Sequence, residues 1–494
     1  MNNLPSKITE QFKQWKILVV GDLILDHYIQ GETERLCPEG PIPVVDVTNS
    51  RYTLGGSANV ALNFSALGAQ VTYCSVTGDD AAAEKVIKMM EEQHLHLHVL
   101  RDPERSTIVK TRVISARQLL ARYDQGTSAP VSAKTTGWLK AVLTSEFRNH
   151  DAVVVSDYDK GILTETIIAV LKQLKQQYCS YVAVDSKRLQ LFSALAPSFV
   201  KPNYSEAVEL LNIPFRSKGR IEQMLRLGKR LYEITNAQLL ALTADADGAV
   251  IFRKGEQAGH CAPFRLEHPN VVGAGDVFFS AFVLAVLSEC TEQQAADIAT
   301  TAAAVGMMKT GCTCSCTAPE LNAFLSLHTR YISDPAQIAA IGSVYRSMGK
   351  KIVFTNGCFD ILHRGHISFL SQARALGDVL IVGLNFDESV RRLKGAHRPI
   401  NPLADRKTVL AALECVTHIV PFGNREDDTA TELITLLRPD IYVKGGNYAA
   451  KELPEAELVR KNGGSVHILP LMPGCSTSGM IHKINPSLAL KTVS

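Results

Sequence analysis

The chain has 494 residues, 46% of them hydrophobic and 20% charged, with a formal net charge of +3. That length predicts two to four domains with full cores, and a charge so near balance gives no reason to expect nucleic acid or a membrane as partner. Eleven cysteines, scattered mostly singly through apolar stretches, predict reduced thiols; with no apolar run of spanning length and no signal core in the polar Met1–Lys16, the expected address is the cytoplasm.

In chain order, residues 3–16 read as a short amphipathic helix. Ile17 to Gly21 is a buried strand ending on Asp22, and Ile42 to Val47 is a second strand introduced by a proline pair. Gly55-Gly56 then turns the chain into a helix of small residues that carries Asn59. Strand–helix alternation continues through strands at 151–156, 181–185 and 239–243. Val271-Val272-Gly273-Ala274-Gly275-Asp276 opens a long apolar helix to Leu287, and a further helix from Ala295 to Met308 ends at Lys309-Thr310-Gly311. Such alternation predicts an α/β fold with mainly parallel sheets covered by helices on both faces. Residues 326–346 read as a helical connector, and a different strand–turn–helix series starts at Lys351. No internal repeat or low-complexity tract appears.

Three separated features of the first half point to phosphoryl transfer. Gly55-Gly56 lets backbone approach a polyhydroxy ligand, while Asn59 both donates and accepts hydrogen bonds. Gly273-Ala274-Gly275 at a helix start offers backbone N–H groups to a transferred phosphoryl, and Asp276 stands where it could take a proton from an attacking hydroxyl. Each feature alone is usually a turn or a helix cap; their order and distance carry the reading. They resemble the two signatures of the ribokinase-type sugar kinases, and Asn203-Tyr204-Ser205-Glu206 matches that family's N-x-x-E element. The resemblance implies Asp276 as general base and Gly273 to Gly275 as anion hole. It implies Asn203 and Glu206 acting on Mg2+ through water, with Asp22, Gly55, Gly56 and Asn59 on the sugar side. Thr243 to Gly248, with Gly306, Lys309 and Gly311, would border the adenosine. Lys187 is read equally as a phosphate counter-charge or a solvated surface lysine. Cys312-Thr313-Cys314-Ser315-Cys316 is read as small residues beside the nucleotide, since tetrahedral zinc sites use wider spacing.

In the second half, Ile352-Val353-Phe354 is a buried strand broken by Asn356-Gly357. The pattern Ile367, Phe369, Leu370, Ala373, Leu376 then has a helical period closed by Gly377. His363 and His366 fall on one face at that helix's N-terminus, where free N–H groups attract phosphate. This resembles the HxGH signature of nucleotidyltransferases related to class I aminoacyl-tRNA synthetases. The basic run Arg391-Arg392-Leu393-Lys394 follows the strand 379–384, at the edge where such sheets bind ligand. His363 and His366 are assigned to phosphates and Lys394 to the attacker or triphosphate. Ser476 and Thr477, with Ser478, resemble the family element beside the β- and γ-phosphates. Thr355, Asn356, Gly357, Phe359, Lys444 and Gly445 are the further nucleotide-binding candidates. Cys358 has no evident base partner and reads as a small buried residue.

End to end the chain resembles the bacterial bifunctional heptose 7-phosphate kinase/heptose 1-phosphate adenylyltransferases. The residues carrying this are Glu34 to Val45, Ser156-Asp157-Tyr158-Asp159-Lys160-Gly161, Val390 to Gly395, and Arg438-Pro439-Asp440 with Val443-Lys444-Gly445-Gly446. The resemblance implies two doubly wound parallel-sheet domains: a ribokinase-like domain over 1–328 with a small β lid, and a Rossmann-like nucleotidyltransferase domain over 349–494, joined by a connector at 329–348. It implies ATP as substrate in both domains, Mg2+, a homodimer, and a separate heptose bisphosphate phosphatase acting between the two reactions to ADP-heptose. Ser57 and Val271-Val272 depart from the usual motifs without removing a charged or proton-transferring group; Cys37 and Gly40 also depart, and Asn447 stands where a carboxylate is usual, which bears on fine substrate preference more than on reaction type. Two rivals stand beside this reading: the same reactions on another sugar phosphate or with CTP, and a non-catalytic sugar-phosphate-binding regulator.

Overall fold

The computed structural model describes residues 8–480 apart from 94, 117, 179, 263–265, 267–268, 310–312, 328–329, 333, 336, 424–426, 447–453, 471, 473–476 and 478–479. Two compact units divide the chain, Met1–Leu321 and Asn322–Ser494. In the first, a nine-stranded sheet runs in the order Glu256–Cys261, Ala249–Arg253, Leu239–Thr243, Phe199–Val200, Tyr181–Ser186, Ala152–Asp157, Lys16–Gly21, Gln70–Gly78 and His96–Asp102. All neighbours are parallel except the two pairings at the Glu256 edge, where Ala249–Arg253 runs antiparallel to both Leu239–Thr243 and Glu256–Cys261. Parallel strands are covered on both faces, which is why Ile17 to Val20 and Ala152 to Val155 are continuous apolar runs and fully buried.

One face of that sheet receives the helix Ala274–Leu287, which is apolar all round and buried over most of its length. Phe199 stacks on it, with ring centroids 5.5 Å from Phe279 and 4.5 Å from Phe282. The other face is covered by Ala133–Glu146 and Glu165–Tyr178, whose Leu139, Leu143, Ile167 and Leu171 join the strand residues in one core.

A separate four-stranded sheet forms a lid in the order Pro43–Gly56, Leu23–Leu36, Ile108–Ser115, Gln118–Gln125. Only one of these strands is predicted, at 42–47. Leu23–Leu36 starts buried and ends exposed, bulges between Gln30 and Gly31, and so shows no sustained alternation. Gln118–Gln125 is exposed along its whole length.

The second unit is a five-stranded, all-parallel sheet ordered His418–Phe422, Val379–Asn385, Ile352–Gly357, Ile441–Gly445, Ser465–Leu469. The chain leaves the central strand Ile352–Gly357 in one direction and returns to its other side. The end of that strand is therefore a topological switch point, where such sheets bind ligand. The helix Arg364–Arg374 begins three residues before the apolar period, with His363 as its N-cap residue. The stretch read as a connector is folded onto this unit: the Ile332 N–H donates to the Ile419 carbonyl at 2.9 Å, and Tyr345 meets the buried His418 ring at 2.7 Å. Among the described residues no helix is long and apolar enough to cross a membrane.

Phe199 is fully buried in a two-residue strand, with little slack for its surroundings to collapse. Phe199→Ala should cost about 3–5 kcal/mol, read as a lowered urea midpoint of the first unit.

Candidate active sites

In the first unit the functional groups gather where the parallel strands end. Asp276 sits in the first turn of Ala274–Leu287, half-buried. Asn59 donates to one of its oxygens at 2.6 Å and the Tyr158 hydroxyl to the other at 3.4 Å. Burial, then the negative charge of Asp185, pushes the Asp276 carboxyl up to about 6, against the pull of Asn59, Lys201 and Tyr158. That value suits a group that must be ionised at neutral pH yet hold a proton during transfer.

Gly273, the N-cap residue of this helix, has φ 83°, and a Cβ there would lie 2.8 Å from Thr313 and 3.1 Å from the Asn59 amide. Only glycine permits both the backbone and the approach. Gly275 faces Lys201, whose ammonium lies 3.5 Å from where its Cβ would be. Gly55 and Gly56 end the lid strand beside Asp26 and the Asp22 carbonyl; a Cβ on Gly55 would come 2.1 Å from the Asp26 carboxylate. Asn59 follows in the first turn of Ser57–Ala66, and the Ser57 departure is satisfied by a 2.7 Å hydrogen bond to the buried Tyr73.

Other expected residues have structural partners. Asp22 is buried, and its oxygens accept from the backbone N–H groups of Tyr158, Lys160 and Ile162 at 2.8, 3.0 and 3.3 Å, which ties the 158–162 loop to the end of Lys16–Gly21. Burial, then Asp157, raises it to about 6. The N-x-x-E element is a capping box: Asn203 accepts from the Glu206 N–H at 2.8 Å and Glu206 from the Asn203 N–H at 2.9 Å. Thr243 bridges Asn203, and Gly248 closes the turn after it. Lys309 is paired with Glu320 at 2.6 Å, while Gly306 lies against Cys314 and Ser315. Cys314 is buried with its thiol 2.7 Å from the Asn270 carbonyl, and Lys187 is exposed. Gly311 and Cys312 lie outside the described residues, and among those described no three His, Cys, Asp or Glu side chains converge as a metal cage.

Lys201 and Asp185 are what sequence reasoning missed. Lys201 is buried, 3.3 Å from Asp185, and although burial opposes its charge, Asp185, Glu206 and Asp276 outweigh that and keep it protonated. Lys201 lies two residues before Asn203, just after a strand only two residues long, too short to mark it in the sequence.

In the second unit the same edge carries the histidines. Their rings stack at 3.9 Å, and Phe359, at φ 40°, sets its ring edge-on to His366 at 5.5 Å. Burial, then His363, lowers His366 to about 4, so it is neutral at physiological pH. Nδ1 of both histidines and the Thr355 hydroxyl are buried without a hydrogen-bond partner among the described residues. Three such orphans at one strand end are costly unless a ligand or water completes them. Asn356 accepts from Tyr442 at 2.8 Å and from Lys444 at 2.9 Å, and burial lowers the Lys444 ammonium. Lys394 is exposed in the last turn of Asp387–Lys394, close enough for its charge to act on Cys358 and Lys444. Gly445 pairs with Leu469 beyond Gly357, and Thr477 lies 3.4 Å from the Ile361 carbonyl. Ser476, Ser478 and Asn447 lie outside the described residues.

Two buried anchors here had no sequence signal. Arg406 donates to the carbonyls of Cys358, Asn385 and Asn401 at 2.6, 2.9 and 3.0 Å and to Asp387 at 2.6 Å. Asp360 accepts from Arg398, Ile400 and Asn401. Together they fasten the loop before the histidines to the neighbouring strand end.

Residues 14–319 match the pfkB family of carbohydrate kinases, and residues 354–478 match the cytidylyltransferase-like family. The bifunctional protein HldE of Helicobacter pylori (strain ATCC 700392 / 26695) is 36% identical over 95% of this chain and 98% of its own. That of Wolinella succinogenes is 37% identical over the same shares. The chain belongs to the HldE family of bifunctional proteins. Like them, this HldE-family chain is a carbohydrate kinase followed by a nucleotidyltransferase, both using ATP-type substrates. Phosphofructokinase-2 of Escherichia coli superposes with a TM-score of 0.53 over 63% of this chain and 99% of its own at 17% identity, which shows the fold of the kinase unit alone.

With Asp276 at about 6, the kinase kcat/KM of this HldE-family protein should fall about tenfold per pH unit below that value, because the protonated form cannot accept the hydroxyl proton. Asn59→Ala removes a group that lowers Asp276 and should move this acid limb to higher pH. A limb that stays in place would assign the titration to the substrate's own phosphate.

Proposed function

We propose that the first unit phosphorylates D-glycero-β-D-manno-heptose 7-phosphate at O1 with ATP, and that the second transfers AMP from ATP to heptose 1-phosphate, releasing pyrophosphate and ADP-heptose, a lipopolysaccharide core precursor. The observation that carries this is the presence, in one chain collinear with HldE proteins, of a half-buried carboxylate with a raised pKa beside a glycine-rich helix start and a stacked histidine pair at the switch point of the second unit.

In the first reaction Asp276 takes the O1 proton as O1 attacks the γ-phosphorus, and ADP leaves. The N–H groups of Gly273 to Gly275 and the Lys201 ammonium stabilise charge on the transferred phosphoryl. The donor set suits magnesium carried on the triphosphate and reached through water, with Asp185 and Glu206 as the nearby carboxylates. When bound, that ion neutralises phosphate charge. The capping box leaves Glu206 fixed in place for such a role.

In the second reaction a phosphate oxygen of the sugar attacks the α-phosphorus in line, and pyrophosphate leaves. His363 and His366 donate ring N–H bonds to phosphate, Lys394 and Lys444 supply positive charge, and Ser476 with Thr477 meets the β- and γ-phosphates. Between the two reactions a separate phosphatase removes the 7-phosphate. The enzyme works in the cytoplasm as a homodimer through the lid sheet, whose Gln118–Gln125 edge exposes Leu119 and Tyr123.

Phosphorus NMR of the protein with Mg2+, ATP and heptose 7-phosphate should show a sugar bisphosphate, and adding the phosphatase should give ADP-sugar and pyrophosphate. Turnover of another sugar phosphate but not of heptose would sink the substrate assignment, and a preference for CTP would sink the adenylyl assignment. Asp276→Asn should lower kinase kcat by at least a thousandfold and leave adenylyl transfer from heptose 1-phosphate intact; His366→Ala should do the reverse.

A further inference from the structure

In the kinase unit Lys110 and Lys160 form no ion pair among the described residues, although both lie close to the groups around Asp276 and Asp22. Lys110, on the lid strand Ile108–Ser115, is part-buried, and its ammonium lies 5.5 Å from the centre of the Tyr158 ring. Tyr158 in turn reaches Asp276 with its hydroxyl at 3.4 Å. One phenol ring therefore neighbours both the lysine and the carboxylate. Lys160 is also part-buried. Its N–H is fixed on Asp22 at 3.0 Å and its carbonyl accepts from Arg105 at 2.9 Å, so the loop that presents its side chain is held.

The neighbouring carboxylates are already spent. Asp26 is paired with Arg112 at 2.5 Å, and Asp124 holds Arg122 through two bonds of 2.6 and 2.9 Å. Burial depresses the Lys110 ammonium; Asp26 offsets this in part, and Arg122 and Lys160 add to it. Two part-buried like charges within reach of each other are unfavourable until an anion joins them.

We propose that Lys110 and Lys160 form the subsite for a phosphate monoester carried on the sugar carbon remote from the attacking hydroxyl, and so set the kinase's preference for a sugar that is already phosphorylated. The proposal rests on the kinase reading above. Lys110 belongs to the lid and Lys160 to the loop after the main-sheet strand Ala152–Asp157. One phosphate bridging them draws the lid onto the sugar and spends remote binding energy on orienting the reacting hydroxyl.

The test uses the full chain with Mg2+ and ATP, comparing kcat/KM for heptose 7-phosphate and for unphosphorylated heptose. Lys110→Met and Lys160→Met should each lower the ratio of these values about tenfold or more, as loss of a charge-assisted hydrogen bond does. Lys110→Arg should retain most of it. Retained turnover of unphosphorylated heptose reports that the kinase unit of each variant is folded. An unchanged ratio in both methionine variants, or a loss confined to KM for ATP, overturns the proposal while leaving the kinase reading intact. A wild-type protein that phosphorylates neither sugar overturns the reading and the proposal together.

Discussion

Parallel strands place all their carboxyl ends on one edge, and the helices that follow begin there with free N–H groups. Both chemical centres of this chain are consequences of that constraint. Asp22, Asp157, Asp185, Lys201, Asn203 and Thr243 close or follow neighbouring strands of one sheet. Asn356, Asn385 and Lys444 do so in the other. A phosphate brought to either edge meets backbone N–H groups that no strand or helix has used. The side chains differ between the two sites; the electrostatic setting is the same.

Within that setting the two sites are charged differently, and the difference follows their chemistry. In the kinase unit carboxylates gather around Asp276, the proposed base, and the buried cation Lys201 balances them. Crowding keeps the base weakly held, and the lysine prevents the cluster from protonating altogether. The nucleotidyltransferase needs no base of its own, because its attacker is already a phosphate anion. Its histidines are stacked and part-buried; burial strips the charge of His366, and Phe359 with the Arg406 and Asp360 anchors positions the pair.

Legibility in the sequence followed the physics of each signal. The main-sheet strands were readable because burial on both faces demands an unbroken apolar run, as in Ile17 to Val20. The lid was not, since Leu23–Leu36 and Gln118–Gln125 are half or wholly exposed and obey no single period. Among site residues, glycines and histidines at fixed spacing stood out because turns and helix ends restrict what can occupy them. Lys201, Asp185 and Arg406 carry no such local mark. A lysine at a strand end looks the same in solvent or in a site until its neighbours are known.

The chain alone determined that there are two α/β units and that Asp276, His363 and His366 stand at the starts of two helices after glycine-rich turns. These are local facts, set by periodicity and by backbone stereochemistry within a dozen residues. Only the tertiary structure decided that Asn59, 217 positions away, would donate to Asp276, that the N-x-x-E pair would close on itself as a capping box, and that Lys201 would be the cation at the kinase centre. Those outcomes depend on which strand ends become neighbours, and strand order is settled by long-range packing that no short stretch of sequence contains.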